Sequence, residues 1–153
     1  MNLVLAGLVT EAFGLIVFLC GLWVARGGVP VSVLWLPVLL IPQVLLTAGL
    51  SWLLAATGVF VRDLGQAIGF ILTLWFFLTP ICYEESKELP EWISRALAFN
   101  PVLVLVRGYR AILLENHSPW NASLIALWIG SAAVAVLGYA WFHRLRNSFA
   151  DVI

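Results

Sequence analysis

Charged residues divide this chain into four long apolar stretches. Met1 to Ala25 carries only Glu11, while Gly27 to Val61, Leu64 to Tyr83 and Asn116 to Phe142 contain no Asp, Glu, Lys or Arg. At ~1.5 Å per residue, an uncharged helix of about twenty residues spans ~30 Å, the thickness of a bilayer's hydrocarbon core. The pattern predicts an all-α membrane protein. It has one transmembrane domain over residues 1–153, with spans at about 3–25, 34–61, 64–83 and 120–142. Arg26-Gly27-Gly28 with Pro30 ends the first span, and Arg62-Asp63 closes the second. Pro37 and Pro42 each remove a backbone donor from the second span, and Pro80 predicts a kink or an early end in the third. Gly65 and Gly69 form a small-xxx-small pair that permits close helix approach.

The segment 84–119 follows another pattern. Glu84, Glu85, Lys87, Glu88 and Glu91 make its start wet, and Leu89-Pro90 opens a short helix reaching about Phe99. Asn100-Pro101 reads as an N-cap with proline at the first helical position. The helix from Val102 to Leu114 sets Arg107 and Arg110 on one face with Leu103 and Leu114, and Val106, Tyr109 and Leu113 on another. It is too short and too charged to span, and suits an amphipathic or re-entrant piece at the membrane surface.

Composition agrees. The chain is 63% hydrophobic and 10% charged, against roughly 25% charged in soluble domains. Trp23, Trp35, Trp92, Trp120 and Trp141 fall near span ends, where an amphipathic ring prefers the interface. The net charge of zero offers no basic surface for nucleic acid. Cys20 and Cys82 are too few and too far apart for a disulfide framework or a zinc site. The first stretch has no positive n-region and is too long for the apolar core of a secretory signal. Counting Lys and Arg on the two faces leaves orientation open.

Catalysis finds little support. A nucleotide-binding loop needs Gly-Lys-Ser/Thr, and the single lysine, Lys87, lies between Ser86 and Glu88. His117 and His143 sit at opposite ends of the last span. No cofactor is expected. Glu11 is the one acidic group at membrane depth. Its cost of about 2.5–3.5 kcal/mol is covered by the apolar residues of its span, and an intramembrane carboxylate is by default a functional candidate. A second reading puts Glu11 near a polar surface. Trp75, Phe76 and Phe77 are consecutive, so on a helix they point ~100° apart and at most two can line one conduit. Aromatic faces stack on sugar rings without fixed geometry, which suits a sliding substrate; the plainer reading is lipid-facing bulk.

The order of these features resembles the C-terminal part of an ABC-2 type permease, in the group exporting polysaccharides or polyol phosphates such as O-antigen, capsule and teichoic acid. The residues that carry the resemblance are Arg62-Asp63-Leu64-Gly65, Trp75-Phe76-Phe77-Leu78-Thr79-Pro80-Ile81-Cys82-Tyr83, Asn100-Pro101, Arg107-Gly108-Tyr109-Arg110 and Phe149-Ala150-Asp151-Val152-Ile153. The resemblance implies a half-transporter of six spans, of which these four would be the third to sixth, that forms a homodimer in the bacterial inner membrane. It would bind a separate ABC ATPase subunit and be no enzyme itself. The C-terminus and the Arg62-Asp63 turn would be cytoplasmic and the 84–119 loop external, its short helices acting as a gate. A lipid-linked glycan would be the substrate. The translocation path would include Trp75, Phe76, Phe77, Thr79, Pro80, Tyr83 and Glu11, and the gate loop Trp92, Asn100, Pro101, Arg107, Tyr109 and Arg110. Nothing in the chain matches the family's first two spans or coupling helix, so a truncated or partial chain is expected. The alternatives are an ABC-2 exporter of drugs or small lipids, or a non-transport membrane protein of envelope glycan assembly.

Overall fold

The computed structural model describes residues 2–79, 97 and 99–146. Helix α1 (Asn2–Arg26) is followed by a 3-10 helix (Val31–Trp35), then α2 (Leu36–Gly58), α3 (Leu64–Leu78), α4 (Pro101–Leu113) and α5 (Ala122–Leu145). No strand occurs among the described residues. The helices Val4–Arg26, Val31–Gly58 and Ala122–Leu145 are each long and apolar enough to cross a bilayer. The chain is an all-α membrane protein.

Local chemistry sets the boundaries. Gly27 takes φ 71°, a backbone state that costs glycine nothing, and its N–H reaches back to the Trp23 carbonyl at 2.8 Å to close α1. Pro37 falls in the first turn of α2, where its missing N–H has no helical partner to lose; Pro42 lies inside the helix and is buried. The third apolar stretch does not become a helix of full spanning length. It stops at Leu78 after 15 residues, ~22 Å, because Thr79 precedes Pro80 and is driven to an extended backbone, φ −87° and ψ 124°. The expected continuation through Pro80 to Tyr83 lies outside the described residues, as do Trp92 and the terminal 149–153 motif.

The bundle is organised around α2 and α5. Trp128, early in α5, donates to the carbonyl of Val38, early in α2, at 3.1 Å; later along both helices Trp52 meets Tyr139 edge-on, with ring centroids 5.4 Å apart. Early pairs with early and late with late, so the two helices run parallel. Their backbones touch where both present glycine. A Cβ on Gly49 would lie 2.6 Å from the Val134 carbonyl oxygen, and one on Gly138 would overlap the carbonyl of Gly49. A Cβ on Gly65 or Gly69, by contrast, would meet nothing within 4 Å among the described residues.

The other two long segments run the opposite way. The early residues Val4, Gly7 and Leu8 of α1 share a groove with Thr47 and Ser51, whereas Glu11, further along, bonds to Gln43. At the start of α3, Leu64 lies near Gly58; Leu72 and Trp75, further along, border a recess with Gln43 and Leu46. Direction therefore alternates through α1, α2, α3 and α5.

Helix α4 is not laid on the outside of this bundle. Leu103, Val104, Leu105, Gly108, Ile112 and Leu113 are buried. Val104, Leu105, Ile112 and Leu113 join Leu36, Leu39, Leu124 and Leu127 in the core. Pro101 and Val104 share a recess with Leu46 and the Gly130–Val134 stretch, so α4 starts level with the middle of α2 and α5. It ends beside the 3-10 helix, where the Ser32 hydroxyl donates to the carbonyl of Ile112 and Arg26 donates to that of Leu114 at 3.0 Å. The helix expected as an amphipathic or re-entrant piece at the membrane surface contributes its buried side chains to the core of the bundle.

Candidate functional site

A cleft of about 450 Å³ lies between α2, α3 and α4. Volumes of about 300–1,000 Å³ with apolar walls and a few convergent polar groups are typical of small-molecule sites. Leu46, Leu50, Leu72, Val102, Leu105 and Val106 supply the apolar walls. Trp75 and Phe76 form an aromatic side, and Gln43, Thr47 and Tyr109 a polar one.

One asparagine fixes the aromatic side. Asn100 Oδ1 accepts from the Val102 backbone N–H at 3.1 Å, capping α4 as the Asn100-Pro101 pair predicts. The same oxygen accepts from Trp75 Nε1 at 2.9 Å. Asn100 Nδ2 donates to Thr79 Oγ1 at 2.9 Å, and the Thr79 hydroxyl donates to the Trp75 carbonyl at 2.8 Å. Thr79 is only 1% exposed, so its hydroxyl needs these partners. The end of α3 and the start of α4 are thereby tied at one point, and the indole of Trp75 is held by its N–H.

The polar side is a second network joining three helices. Gln43 Nε2 on α2 donates to Glu11 Oε1 on α1 at 2.6 Å. The Tyr109 hydroxyl on α4 donates to Gln43 Oε1 at 2.8 Å and lies 3.4 Å from Glu11 Oε1. Glu11 thus has hydrogen-bonding partners on two other helices. Low dielectric strengthens such bonds and penalises any group left without one.

The structure therefore brings Glu11, Trp75, Phe76, Thr79, Asn100 and Tyr109 to the cleft or its two supporting networks. Pro101 opens α4 beside it. Phe77 is 70% exposed and does not line the cleft; its ring packs edge-on against Phe76, centroids 5.6 Å apart. Arg110 borders a neighbouring groove with Phe18, Leu113 and Leu114 that shares Val106 and Tyr109 with the cleft. Arg107 does not line the cleft, and Arg62 and Asp63 sit in the exposed turn before α3. Pro80, Tyr83 and Trp92 lie outside the described residues. Gln43 and Thr47 escaped the sequence reading because uncharged amides and hydroxyls do not interrupt a charge-free stretch. Their i, i+4 spacing in the second span was the available signal. Among the described residues no three His, Cys, Asp or Glu side chains cluster to hold a metal.

A bundle of long apolar helices, with a shorter helix packed among them beside a mixed aromatic and polar cleft, is an all-α membrane architecture. Residues 2–114 match the family of ABC-2 type transporters, and the chain belongs to that family as a multi-pass membrane protein. It is similar to the O-antigen export system permease protein RfbA of Myxococcus xanthus, with 36% identity covering 76% of this chain and 45% of that one. Two RfbA permeases of Klebsiella pneumoniae, also named for O-antigen export, are 29% and 27% identical, each match covering 82% of this chain and 49% of theirs. The chain spans about half the length of these curated relatives.

Proposed function

We propose that the chain forms the C-terminal part of the permease subunit of an ATP-driven exporter that moves a lipid-linked polysaccharide or polyol phosphate across the bacterial inner membrane. In this reading α1, α2, α3 with the residues after it, and α5 cross the bilayer in turn. The turn at Arg62-Asp63 and the C-terminus face the cytoplasm. A second copy of the permease completes the conduit, and a separate ABC ATPase supplies the energy, since no phosphate-binding loop exists in the sequence.

The observation that carries the reading is the cleft. Its aromatic wall lies beside a re-entrant helix, at the depth where a polar cargo has lost water and has not yet regained it. A hydrophilic chain sliding through needs surfaces that accept many orientations, and Trp75 and Phe76 offer ring faces of that kind. The Asn100 tie to Thr79 and Trp75 suits a gate, because moving α4 against α3 breaks hydrogen bonds at a single place. The similarity to permeases named for O-antigen export supports a glycan as cargo.

The test is made in cells expressing the complete permease that carries this chain. Trp75→Ala should cut surface glycan severalfold while the protein still inserts and still co-purifies with its ATPase. Unchanged surface glycan would overturn the role of the aromatic wall. Failure of the wild-type permease to capture any nucleotide-binding subunit would overturn the exporter reading.

A further inference from the structure

We propose that the 3-10 helix Val31–Trp35 is an apolar wedge seated in lipid at the headgroup boundary, and that it holds the end of α4 at that level. Neither the cargo nor the energy source of the export reading bears on it.

The helix type sets two edges. With three residues per turn, side chains at i and i+3 stack one above the other. Ser32 and Trp35 form the inner edge. The buried Ser32 hydroxyl donates to the Ile112 carbonyl, and the Ser32 N–H donates to Asn116 Oδ1 at 3.4 Å. The Trp35 ring meets Trp120 edge-on, with centroids 6.1 Å apart. Val31 and Leu34 form the outer edge and are 77% and 80% exposed.

The surroundings commit that outer edge to lipid. The wedge runs directly into α2, and Gly27 to Val61 holds no Asp, Glu, Lys or Arg, so no charge separates it from the span. Trp35 and Trp120 stand just before α2 and α5, where an indole pair marks the boundary between polar and apolar layers. Between the wedge and residues 116–118 lies a hollow of about 460 Å³, apolar at Val31, Leu34 and Trp35 and polar at Asn116 and Ser118. That is the order of groups met in passing from acyl chain to headgroup. Arg26 ends α1 and donates to the Leu114 carbonyl, so it grips the same end of α4 as Ser32 does. An arginine at a span end keeps its stem in apolar surroundings and its head among phosphates. With the wedge held by lipid on one edge and bonded to α4 on the other, the end of α4 is fixed in depth.

The experiment uses the full chain, with Cys20 and Cys82 replaced by serine, at high dilution in phosphatidylcholine vesicles. A polarity-sensitive NBD fluorophore is attached at Leu34→Cys or Val31→Cys. Asp63→Cys serves as the aqueous reference, and Val136→Cys, on the exposed side of α5, as the deep one. Quenchers are lipids carrying a nitroxide on the headgroup or at the acyl end, and iodide on both sides of the membrane. At both wedge positions the headgroup nitroxide should quench about twofold or more better than the acyl-end one, with iodide weak. Iodide quenching equal to that at Asp63→Cys would overturn the proposal, because the edge would lie in water. Quenching by neither nitroxide would overturn it in favour of a covering protein, such as a second copy. Stronger quenching from the acyl end would also overturn it, since the edge would then lie deep. Leu34→Gln removes apolar surface without touching a buried contact, and it should raise deuterium uptake severalfold over the last turn of α4. Unchanged uptake there would overturn the anchoring of α4. None of these readouts touches glycan export or the capture of an ATPase subunit, so the wedge can fail while the exporter reading stands.

Discussion

Two side chains carry most of the connectivity at the cleft, and the sequence advertises them unequally. Asn100 is visible as a cap because asparagine before proline satisfies an orphan donor at a helix start. Its bonds to Trp75 and Thr79 bridge residues more than twenty positions apart and have no local signature. Removing the side chain loses a cap worth about 1 kcal/mol and two bonds between helices averaging about 0.6 kcal/mol each in membranes. Asn100→Ala should therefore destabilise the chain by about 1–3 kcal/mol in reversible unfolding in bicelles. Asn100→Ser should cost less, since a serine oxygen still caps the Val102 N–H while giving up the bonds to Trp75 and Thr79. A serine variant as stable as the wild type would deny those two bonds any share of the stability. Glu11 was conspicuous as a lone acid in an apolar stretch, but its partner Gln43 was not. A carboxamide adds no charge, so only the fold shows that the acid is answered from α2 and α4.

At the level of elements, the sequence predicts the helices well and their contacts poorly. Helices α1, α2 and α5 occupy the first, second and last apolar stretches, because twenty-odd apolar residues in lipid have no alternative to satisfying their backbone internally. The small-residue motif at Gly65 and Gly69 touches nothing described, while the close approach belongs to Gly49 and Gly138 on different helices. No single-helix spacing marks such a pair, since each glycine answers a neighbour from another part of the chain. Gly138→Leu would place carbon on the backbone of α2 and force the two helices apart, costing roughly 3 kcal/mol or more. Gly65→Ala should stay within about 0.5 kcal/mol. Thermal denaturation in detergent, following helix content, measures both. A Gly138→Leu protein as stable as the wild type would mean that α2 and α5 are not held at this crossing.

For the whole molecule, the alternation of helix direction bears on topology in a way that charge counting could not. Arg62 and Asp63 follow α2, and Arg146 follows α5; these helices run parallel, so their ends share one face. Arg26, Asn116 and Ser118 gather at the other, by the 3-10 helix. With Cys20 and Cys82 replaced by serine, Asp63→Cys and Arg146→Cys should react with an impermeant maleimide only in inside-out vesicles. Ser118→Cys should react in intact cells. Labelling of all three from one side would break the alternating path and the proposed conduit with it.

What the sequence determined by itself was the solvent. Long uncharged stretches bounded by arginines and turn residues require lipid around them, and lipid requires helices. The resemblance in the ordered motifs also pointed to the family that the match over residues 2–114 establishes. Only the tertiary structure decided that α4 packs into the core of the bundle, that α3 stops short beside it, and that Gln43 and Tyr109 answer Glu11. These depend on which apolar face meets which, and in a chain this hydrophobic every face is apolar. Shape, glycine contact and a few buried hydrogen bonds choose among the packings, and those are properties of distance in space rather than of position along the chain.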